Sequence, residues 1–355
     1  MGRMDYHGGM ATADLFSNPI SKRFIKLAYQ GRQQAIRVPF LALHFALGKL
    51  RSKQPPSLAV VKNIETSYRK LLSLDIENAM SGVYPLSALH KPGIMDHLKV
   101  LPEALRQVPG TIKRVQNNDF KDLPEDDDLS GFPPYYRRNF HWQTDGYLSR
   151  KSAAVYDLQT DWLFVGAVNA MRRQVIPPIK KLCDAENIKA PKILDVGSGT
   201  GQTLEALKET FPDGNLVGCD LSPHYVEHAK ENRSPGIFFQ VANGEKLPFA
   251  DGEFDVTTST FLFHECPNKV RRNIISEMKR VTRKGGLTVL ADSIQKNDSE
   301  TVVPALTNFS EDYHEPYYKE YLTDPLEEIL REMGYKDIGK ERHFLAKVVV
   351  GTKPI

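Results

Sequence analysis

The chain has 355 residues, too many for one typical domain, and this length predicts one large core plus an extension. Hydrophobic residues make up 41% of the chain and charged residues 26%, which excludes a disordered or fibrous protein. The net charge is +3, from 47 Lys and Arg against 44 Asp and Glu, which excludes a general polyanion partner, and no DNA partner is expected.

The cysteines favour a reducing compartment, and the apolar runs predict neither a secretory signal nor a membrane span. The three cysteines have no C-x-x-C spacing, so neither a disulfide framework nor a zinc site is predicted. The N-terminal stretch "MGRMDYHGGMATADLF" lacks the apolar core of a secretory signal. The run "VPFLALHFAL" is about half the length of a membrane span. We therefore expect a cytoplasmic protein.

The N-terminal region, residues 1–125, is predicted to be helical and shows no family pattern. Residues 15–64 contain nine Lys and Arg but no Asp or Glu. The interleaved apolar residues predict one or two basic amphipathic helices, interrupted near Pro39. Such helices can lie peripherally on an anionic membrane. They can also form a cap whose apolar face packs on the protein and whose basic face is solvated, and both alternatives stay open.

A linker and a helical lead-in are predicted over residues 126–189. The acidic stretch "KDLPEDDDLSGFPPYY" contains Pro and Gly and predicts a surface loop at the main domain boundary. A polar and aromatic loop, "NFHWQTDGYLS", follows it, and then a helical pattern that ends at Pro177 and Pro178. Arg172 and Arg173, a pair at a helix end, are expected to be solvated.

From residue 190 to residue 355, short apolar runs alternate with helical patterns. The runs that read as strands include "KILDV", "NLVGCD", "IFFQV", "FDVTTST", "GGLTVLAD" and a final "FLAKVVVGTK". Helical segments between the first five predict βαβ crossovers and a parallel sheet. The predicted fold class is therefore α/β.

The strongest signal for a binding site is "ILDVGSGTG", residues 193–201. An apolar strand carries Asp195 near its end, and the glycines that follow allow a tight turn and let a ligand approach the backbone. Asp220 ends the second strand, where a carboxylate can accept hydrogen bonds from ribose hydroxyls. Asn243 follows the third strand. A nucleotide-type site at the carboxyl ends of these strands is predicted.

These segments together resemble the class I S-adenosylmethionine-dependent methyltransferases over about residues 191–292. The stretch "LPFADGEFDV", followed by a His near the end of the fourth strand, is most similar to the small-molecule branch with the ubiquinone and menaquinone methyltransferases. The resemblance implies a Rossmann-like, seven-stranded, mostly parallel sheet with helices on both faces. It also implies S-adenosylmethionine as cofactor. A dinucleotide dehydrogenase is the alternative that the G-x-G-x-G spacing disfavours.

The resemblance implies which residues hold the cofactor. Asp195 and the glycine loop would hold its methionine part, Asp220 with Leu221 its ribose, and Asn243 with Gly244 its adenine. Many relatives have Asp where this chain has Asn243, and the amide oxygen still accepts a hydrogen bond there. The loop residues implied are Gly197, Ser198, Gly199, Thr200 and Gly201.

The stretch "FLFHECP", residues 261–267, supplies the candidate catalytic residue. His264 follows the fourth strand at the sheet edge where substrates bind in this fold, so it can abstract a proton or orient the acceptor. A His that merely shapes the loop is the equal alternative. Glu265 is expected to orient a neighbouring group near the substrate.

Two further groups of side chains were weighed. His141, Gln143 and Tyr147 precede the lead-in helix and are expected to form a lid over the cofactor and substrate, the alternative being an ordinary aromatic turn. His224 and His228 have the spacing of metal ligands on a helix. No third ligand follows from the sequence, so no metal site is predicted.

The sequence thus predicts an enzyme that transfers a methyl group from S-adenosylmethionine to a small molecule. A protein or RNA methyltransferase, or a non-catalytic cofactor-binding scaffold, are the alternatives. The acceptor atom and the oligomeric state are left open by the sequence.

Overall fold

The computed structural model describes residues 19–50, 57–90, 93–123, 129–302, 306 and 313–355. Three long helices form the N-terminal region: α1 (Pro19–Leu50), α2 (Leu58–Met80) and α3 (Ile94–Asn117). A 3₁₀ turn, Leu86–His90, lies between α2 and α3. Residues 15–18 and 51–56 of the predicted basic segment, and residues 124–128 of the predicted boundary, lie outside the described residues.

The interruption predicted near Pro39 is wrong, because α1 runs through this position as one helix. A proline in a helix interior costs about 3 kcal/mol. Contacts along α1 offset that cost: Tyr29 and Gln33 are buried, and Arg37 pairs with Glu65 of α2 at 2.5 Å. Packing therefore outweighs the local preference of one residue.

Some of the basic side chains of α1 form contacts with other parts of the protein. Lys26 pairs with Glu77 at 3.1 Å, and Arg32 donates to the carbonyl of Leu89 at 3.2 Å. Ile20 and Phe24 of the same helix are 78% and 72% exposed. No helix in the described ranges has the length and apolarity needed to cross a membrane. Peripheral membrane contact through α1 stays a prediction.

A buried ion pair joins the N-terminal helices to the lead-in of the sheet domain. Arg173 donates to both carboxylate oxygens of Asp75, at 2.9 and 2.6 Å. Tyr84 also donates to this carboxylate at 2.7 Å, and Tyr29 donates to its second oxygen. The expectation that Arg172 and Arg173 are solvated is wrong, since their exposures are 7% and 3%. Arg173 is buried because Asp75 supplies the opposite charge.

Seven strands form one sheet in the order β3-β2-β1-β4-β5-β7-β6, which confirms the predicted fold class. The pairs among β1 to β5 are parallel, and β7 is antiparallel to both β5 and β6. The strands are β1 (Lys192–Val196), β2 (Asn215–Asp220), β3 (Ile237–Val241), β4 (Phe254–Thr260), β5 (Thr282–Ser293), β6 (Lys336–His343) and β7 (Ala346–Thr352).

Helices cover both faces of this sheet because successive strand residues point to opposite sides. Ile193 belongs to one buried apolar cluster and its neighbour Leu194 to the other, and Val289 and Leu290 divide in the same way. The helices are α4 (Arg150–Leu163), α5 (Val168–Arg172), α6 (Ile176–Ala185), α7 (Gln202–Thr210), α8 (Pro223–Asn232), α9 (Asn268–Val281), α10 (Tyr318–Tyr321) and α11 (Leu326–Glu332).

Replacing Asp75 by Ala should lower the free energy of unfolding by about 3–5 kcal/mol, because it leaves the guanidinium of Arg173 buried and unpaired. Urea denaturation followed by circular dichroism measures the loss. The matched control is Glu77→Ala, which breaks the exposed pair with Lys26 and should cost about 0–1 kcal/mol. Equal losses in the two variants would contradict the role given to the buried pair.

Candidate active site

The strand order reverses between β1 and β4, so the chain leaves these neighbouring strands toward opposite sides. In open α/β sheets a crevice forms at this point, outside the carboxyl ends of the strands. A cavity of about 100 Å³ lies here. Its lining includes the end of β1, the loop after it, the end of β2, the loop after β3 and the end of β4.

The glycine loop after β1 is held by backbone hydrogen bonds. The N–H groups of Gly197 and Ser198 both donate to the carbonyl of Cys219, each at 2.9 Å. Gly199 has a φ of +53°, and a Cβ there would meet no atom within 4 Å. Gly201 has a φ of +81°, and a Cβ there would lie 2.7 Å from the ring of Phe239. The loop therefore needs glycine at position 199 for its turn and at position 201 for both turn and packing.

Two carboxylates face the cavity from the ends of β1 and β2: Asp195 is buried and Asp220 is half-buried. Burial raises the pKa of Asp195 to about 8, and the nearby charge of Asp220 adds to this effect. One oxygen of Asp195 has no hydrogen-bond partner among the residues that the structure describes. Burial also raises the pKa of Asp220, to about 6. The N–H groups of Ser222 and Gly199 donate to its carboxylate at 2.8 and 2.9 Å and oppose this rise. A bound ligand that donates hydrogen bonds here would favour both ionised forms.

Nearly all of the residues predicted to hold the cofactor line this one cavity. Gly201 is the exception, because it begins α7 and packs on Phe239. The Asn243 oxygen already accepts from the N–H of Glu245 at 2.9 Å, so one of its lone pairs is left for a ligand. The roles of these predicted residues in binding the cofactor stay predictions. The lining residues from that set are Asp195, Gly197, Ser198, Gly199, Thr200, Asp220, Leu221, Asn243 and Gly244.

Asp157 of α4 binds the glycine loop, although it does not line the cavity itself. This role was not predicted from the sequence. Its carboxylate accepts from Thr200 at 2.6 Å, from Gln202 at 2.7 Å and from Arg233 at 2.6 Å. Burial works against its ionisation, but the charges of Arg233 and Arg172 lower its pKa to about 2. The lead-in helix is thereby fixed to the loop that lines the cavity.

The segment before α4 covers the cavity with aromatic rings. Tyr135, Tyr136, Phe140 and Tyr147 line it, and the Tyr147 carbonyl accepts from Ser222 at 2.6 Å. His141, Trp142 and Asp145, within this cover, have positive φ angles of 54°, 59° and 62°. Strained backbone of this kind persists where surrounding contacts hold it, and it is concentrated at functional sites.

The three predicted lid residues lie in different places. Tyr147 lines the first cavity, whereas His141 lines a second, neighbouring cavity of about 60 Å³. Gln143 lines neither cavity, because it is buried and donates to the carbonyl of Gly146 at 2.7 Å. Gln143 thus stabilises the loop from within.

The second cavity contains the candidate catalytic residue. His264 lies in a 3₁₀ turn, Phe263–Glu265, after β4, and its Nδ1 is 2.6 Å from a carboxylate oxygen of Asp292 at the end of β5. Burial opposes protonation of His264, but the charge and hydrogen bond of Asp292 outweigh it and raise the pKa to about 9. At neutral pH this imidazole is therefore protonated in the isolated chain. Glu265 lines both cavities.

Two acidic residues near His264 were missed in the sequence. Asp292 ends a predicted strand as Asp220 does, so the same strand-end argument could have found it. Glu315 lies in a stretch with no strand or motif signal, yet its buried carboxylate is 2.7 Å from Nδ1 of His141. Burial works against a charge on His141, and the two carboxylates of Glu315 and Glu265 raise its pKa to about 10.

Comparison with known proteins identifies the domain. A family model described as "Methyltransferase domain" matches residues 193–286. A demethylmenaquinone methyltransferase from Paenarthrobacter aurescens is 33% identical over 162 residues, which cover 45% of this chain and 57% of that protein. A ubiquinone/menaquinone biosynthesis C-methyltransferase from Geobacter sp. strain M21 is 30% identical over 199 residues, which cover 46% of this chain and 79% of that protein. The chain thus spans little more than half of the first relative's length.

Among solved structures, human N-acetylserotonin methyltransferase in complex with S-adenosylmethionine matches with a TM-score of 0.44 and 14% identity. The match covers 73% of this chain and 70% of that one.

The affinity for S-adenosylhomocysteine should depend on the ionised carboxylate of Asp220. Since the pKa of this group is about 6, affinity should fall as the pH drops from 7 to 5, because the protonated form loses an acceptor for the ribose hydroxyls. Asp220→Asn should weaken binding about 10–100-fold at pH 7 and reduce the pH dependence in this window. Calorimetric titration at several pH values measures both effects. Asp213→Asn, in an exposed turn, is the control and should bind as the wild type does.

Proposed function

Because the chain belongs to the class I S-adenosylmethionine-dependent methyltransferases, with distant homology to the ubiquinone and menaquinone C-methyltransferases, we propose that it methylates a small molecule held in the second cavity. The observation that carries this proposal is the shared wall between the two cavities. Tyr156, Phe261 and Glu265 line both, so an acceptor in the second cavity would lie next to a cofactor in the first.

The lining of the second cavity favours an acceptor with an apolar body and a polar group at one end. Its apolar lining includes Leu163, Phe164 and Leu345. Its polar end consists of His264 and Glu265, with His141 beside them. Relatives whose names specify demethylmenaquinone or ubiquinone and menaquinone biosynthesis support an acceptor of this mixed character.

Burial favours a small molecule over a protein or an RNA strand. Of the lining residues, Tyr318 is 1% exposed, His264 and Leu306 are each 7% exposed, and the aromatic cover lies over the neighbouring cavity. A macromolecular acceptor would have to displace this cover, whereas a small molecule needs space for itself alone.

Residues of this chain would act mainly by positioning and by excluding water. The cofactor supplies the methyl group from its sulfonium, and transfer to an acceptor at near-attack distance is an in-line displacement that leaves S-adenosylhomocysteine. Asp195 and Asp220 would hold the cofactor's donors, and the aromatic cover would keep water from the reacting atoms. The aromatic rings of Tyr147 and Tyr156, which line the first cavity, would also favour a positive charge there.

The acceptor class is tested by incubating the protein with methyl-labelled cofactor and a cell extract separated into small-metabolite and macromolecular fractions. Label is expected in the small-metabolite fraction. Label confined to protein or RNA would overturn the small-molecule assignment, and no transfer to either fraction would favour a non-catalytic scaffold.

Filling the second cavity should separate acceptor binding from cofactor binding. Leu163→Trp places an indole in a space of about 60 Å³. Turnover should fall by at least about tenfold, while the affinity for S-adenosylhomocysteine stays within about twofold of the wild type, because Leu163 does not line the first cavity. Turnover equal to that of the wild type would exclude this cavity as the acceptor site.

His264→Ala should bind the cofactor normally and turn over about 100-fold more slowly, because the acceptor loses the imidazole that orients its polar group. Initial rates and calorimetry of the same preparation measure the two quantities. His228→Ala, on the half-exposed side of α8, is the matched imidazole deletion and should leave both unchanged. Normal turnover in His264→Ala would return this residue to a loop-shaping role.

A further inference from the structure

Four side chains from three distant segments converge at the polar end of the second cavity. They are His141 from the aromatic cover, His264 and Glu265 from the turn after β4, and Glu315 from the segment before α10. Taking one nitrogen or carboxylate oxygen from each, the four atoms all lie within 4.8 Å of one another. Two imidazoles and two carboxylates at this separation have the composition of a transition-metal site.

We infer that this cluster, His141, His264, Glu265 and Glu315, binds one divalent first-row transition-metal ion. The contact between His141 and Glu315 is the first observation for it. Nδ1 of His141 and Oε1 of Glu315 lie 2.7 Å apart, yet within the part of the chain that the structure describes neither atom makes a hydrogen bond of acceptable geometry. Two ligand atoms at about 2.1 Å from one ion, in neighbouring coordination positions, would lie about 3 Å apart and aim at the ion instead of each other.

The burial of Glu315 is the second observation. Its side chain is fully buried, and among the described residues neither of its carboxylate oxygens accepts a hydrogen bond of acceptable geometry, although the imidazole of His141 lies 2.7 Å away. A buried carboxylate is costly unless cations and hydrogen-bond donors surround it, so this position favours a cation.

The orientation of the ligands is the third observation. Asp292 accepts from Nδ1 of His264 at 2.6 Å, which leaves Nε2 directed toward the cluster, 3.8 Å from Glu265. Tyr147 donates to Glu265 at 2.5 Å. Histidine ligands in metal sites usually donate their other N–H to a carboxylate in this way. Asp292 and Tyr147 are thus positioning residues for two of the four ligands.

The donor set favours an ion such as zinc or iron over magnesium or calcium. Imidazole nitrogens are preferred by zinc, iron, nickel and copper, whereas magnesium and calcium take oxygen ligands. Three of the four ligands line the second cavity, so an open coordination position there would meet an oxygen of the acceptor. That last step rests on the proposed function, whereas the binding of the ion does not.

This inference revises the expectation that no metal is bound. The sequence signal examined for a metal was the pair His224 and His228 on α8, which the structure keeps outside the cluster. The converging ligands lie at positions 141, 264, 265 and 315, so no short spacing motif connects them.

The test is titration of chelator-treated full-length protein with Zn²⁺ by calorimetry and with Co²⁺ by visible absorption. One ion per chain is expected, with a Co²⁺ spectrum typical of nitrogen and oxygen ligands. His141→Ala and Glu315→Gln should lose this binding. Asp292→Asn should weaken it about 10–100-fold, because it releases the ring of His264. The double variant His224→Ala, His228→Ala is the matched control and should bind as the wild type does.

The affinity of each variant for S-adenosylhomocysteine is measured in parallel. Retained cofactor binding with lost metal binding supports the site and shows that the fold is intact. Failure to bind the cofactor in the wild type would count against the proposed function, not against the metal. The inference is overturned if wild-type protein binds no Zn²⁺ or Co²⁺, or if the cluster variants bind them as well as the wild type. The wild-type Co²⁺ spectrum decides the question even if one variant does not fold.

Discussion

The burial of carboxylates at the carboxyl ends of the parallel strands governs the arrangement of the whole site. Each such carboxylate needs hydrogen-bond donors. Asp220 and Asp292 accept hydrogen bonds from backbone N–H groups and, for Asp292, from the ring of His264. One oxygen of Asp195 has no partner among the described residues, and burial raises the pKa of this group to about 8, so a bound ligand can supply the missing hydrogen-bond donor.

The N-terminal half of the chain completes the site that the sheet begins. Asp157 fixes α4 to the glycine loop, and Asp75 with Arg173 fixes α2 to the lead-in of β1. Asp157 therefore holds the helix that follows the aromatic cover, and the Asp75–Arg173 pair holds the N-terminal helices to the lead-in. A cover fixed in this way can exclude water from a methyl-transfer site without large loop closure, because its backbone strain is already balanced by packing.

The sequence predicted the sheet, the glycine loop and the strand-end acids, because these depend on local periodicity and on backbone conformations that residues other than glycine rarely adopt. The predictions from the sequence were wrong where a single long-range contact determines the local structure or the burial of a side chain. Pro39 was read as a break, but packing of α1 on α2 outweighs its cost. Arg173 was expected in solvent, but Asp75, 98 residues away, pairs with it. Asp157 and Glu315 carry no periodic signal, and their partners lie far along the chain.

The turn after β4 explains how one short stretch serves two cavities. Phe261 has a φ of +57°, and its ring stacks on Phe164, so the chain reverses sharply at the wall between the cavities. Asp292 accepts from the N–H of Phe263 at 2.7 Å and fixes the following residues. His264 then faces the second cavity, while Glu265 lines both. A sulfonium in the first cavity and a metal ion in the second would repel each other, and a carboxylate between them reduces that repulsion. With the proposed cofactor and the proposed ion in place, Glu265 would lie between two positive charges and would link the occupancy of the two cavities.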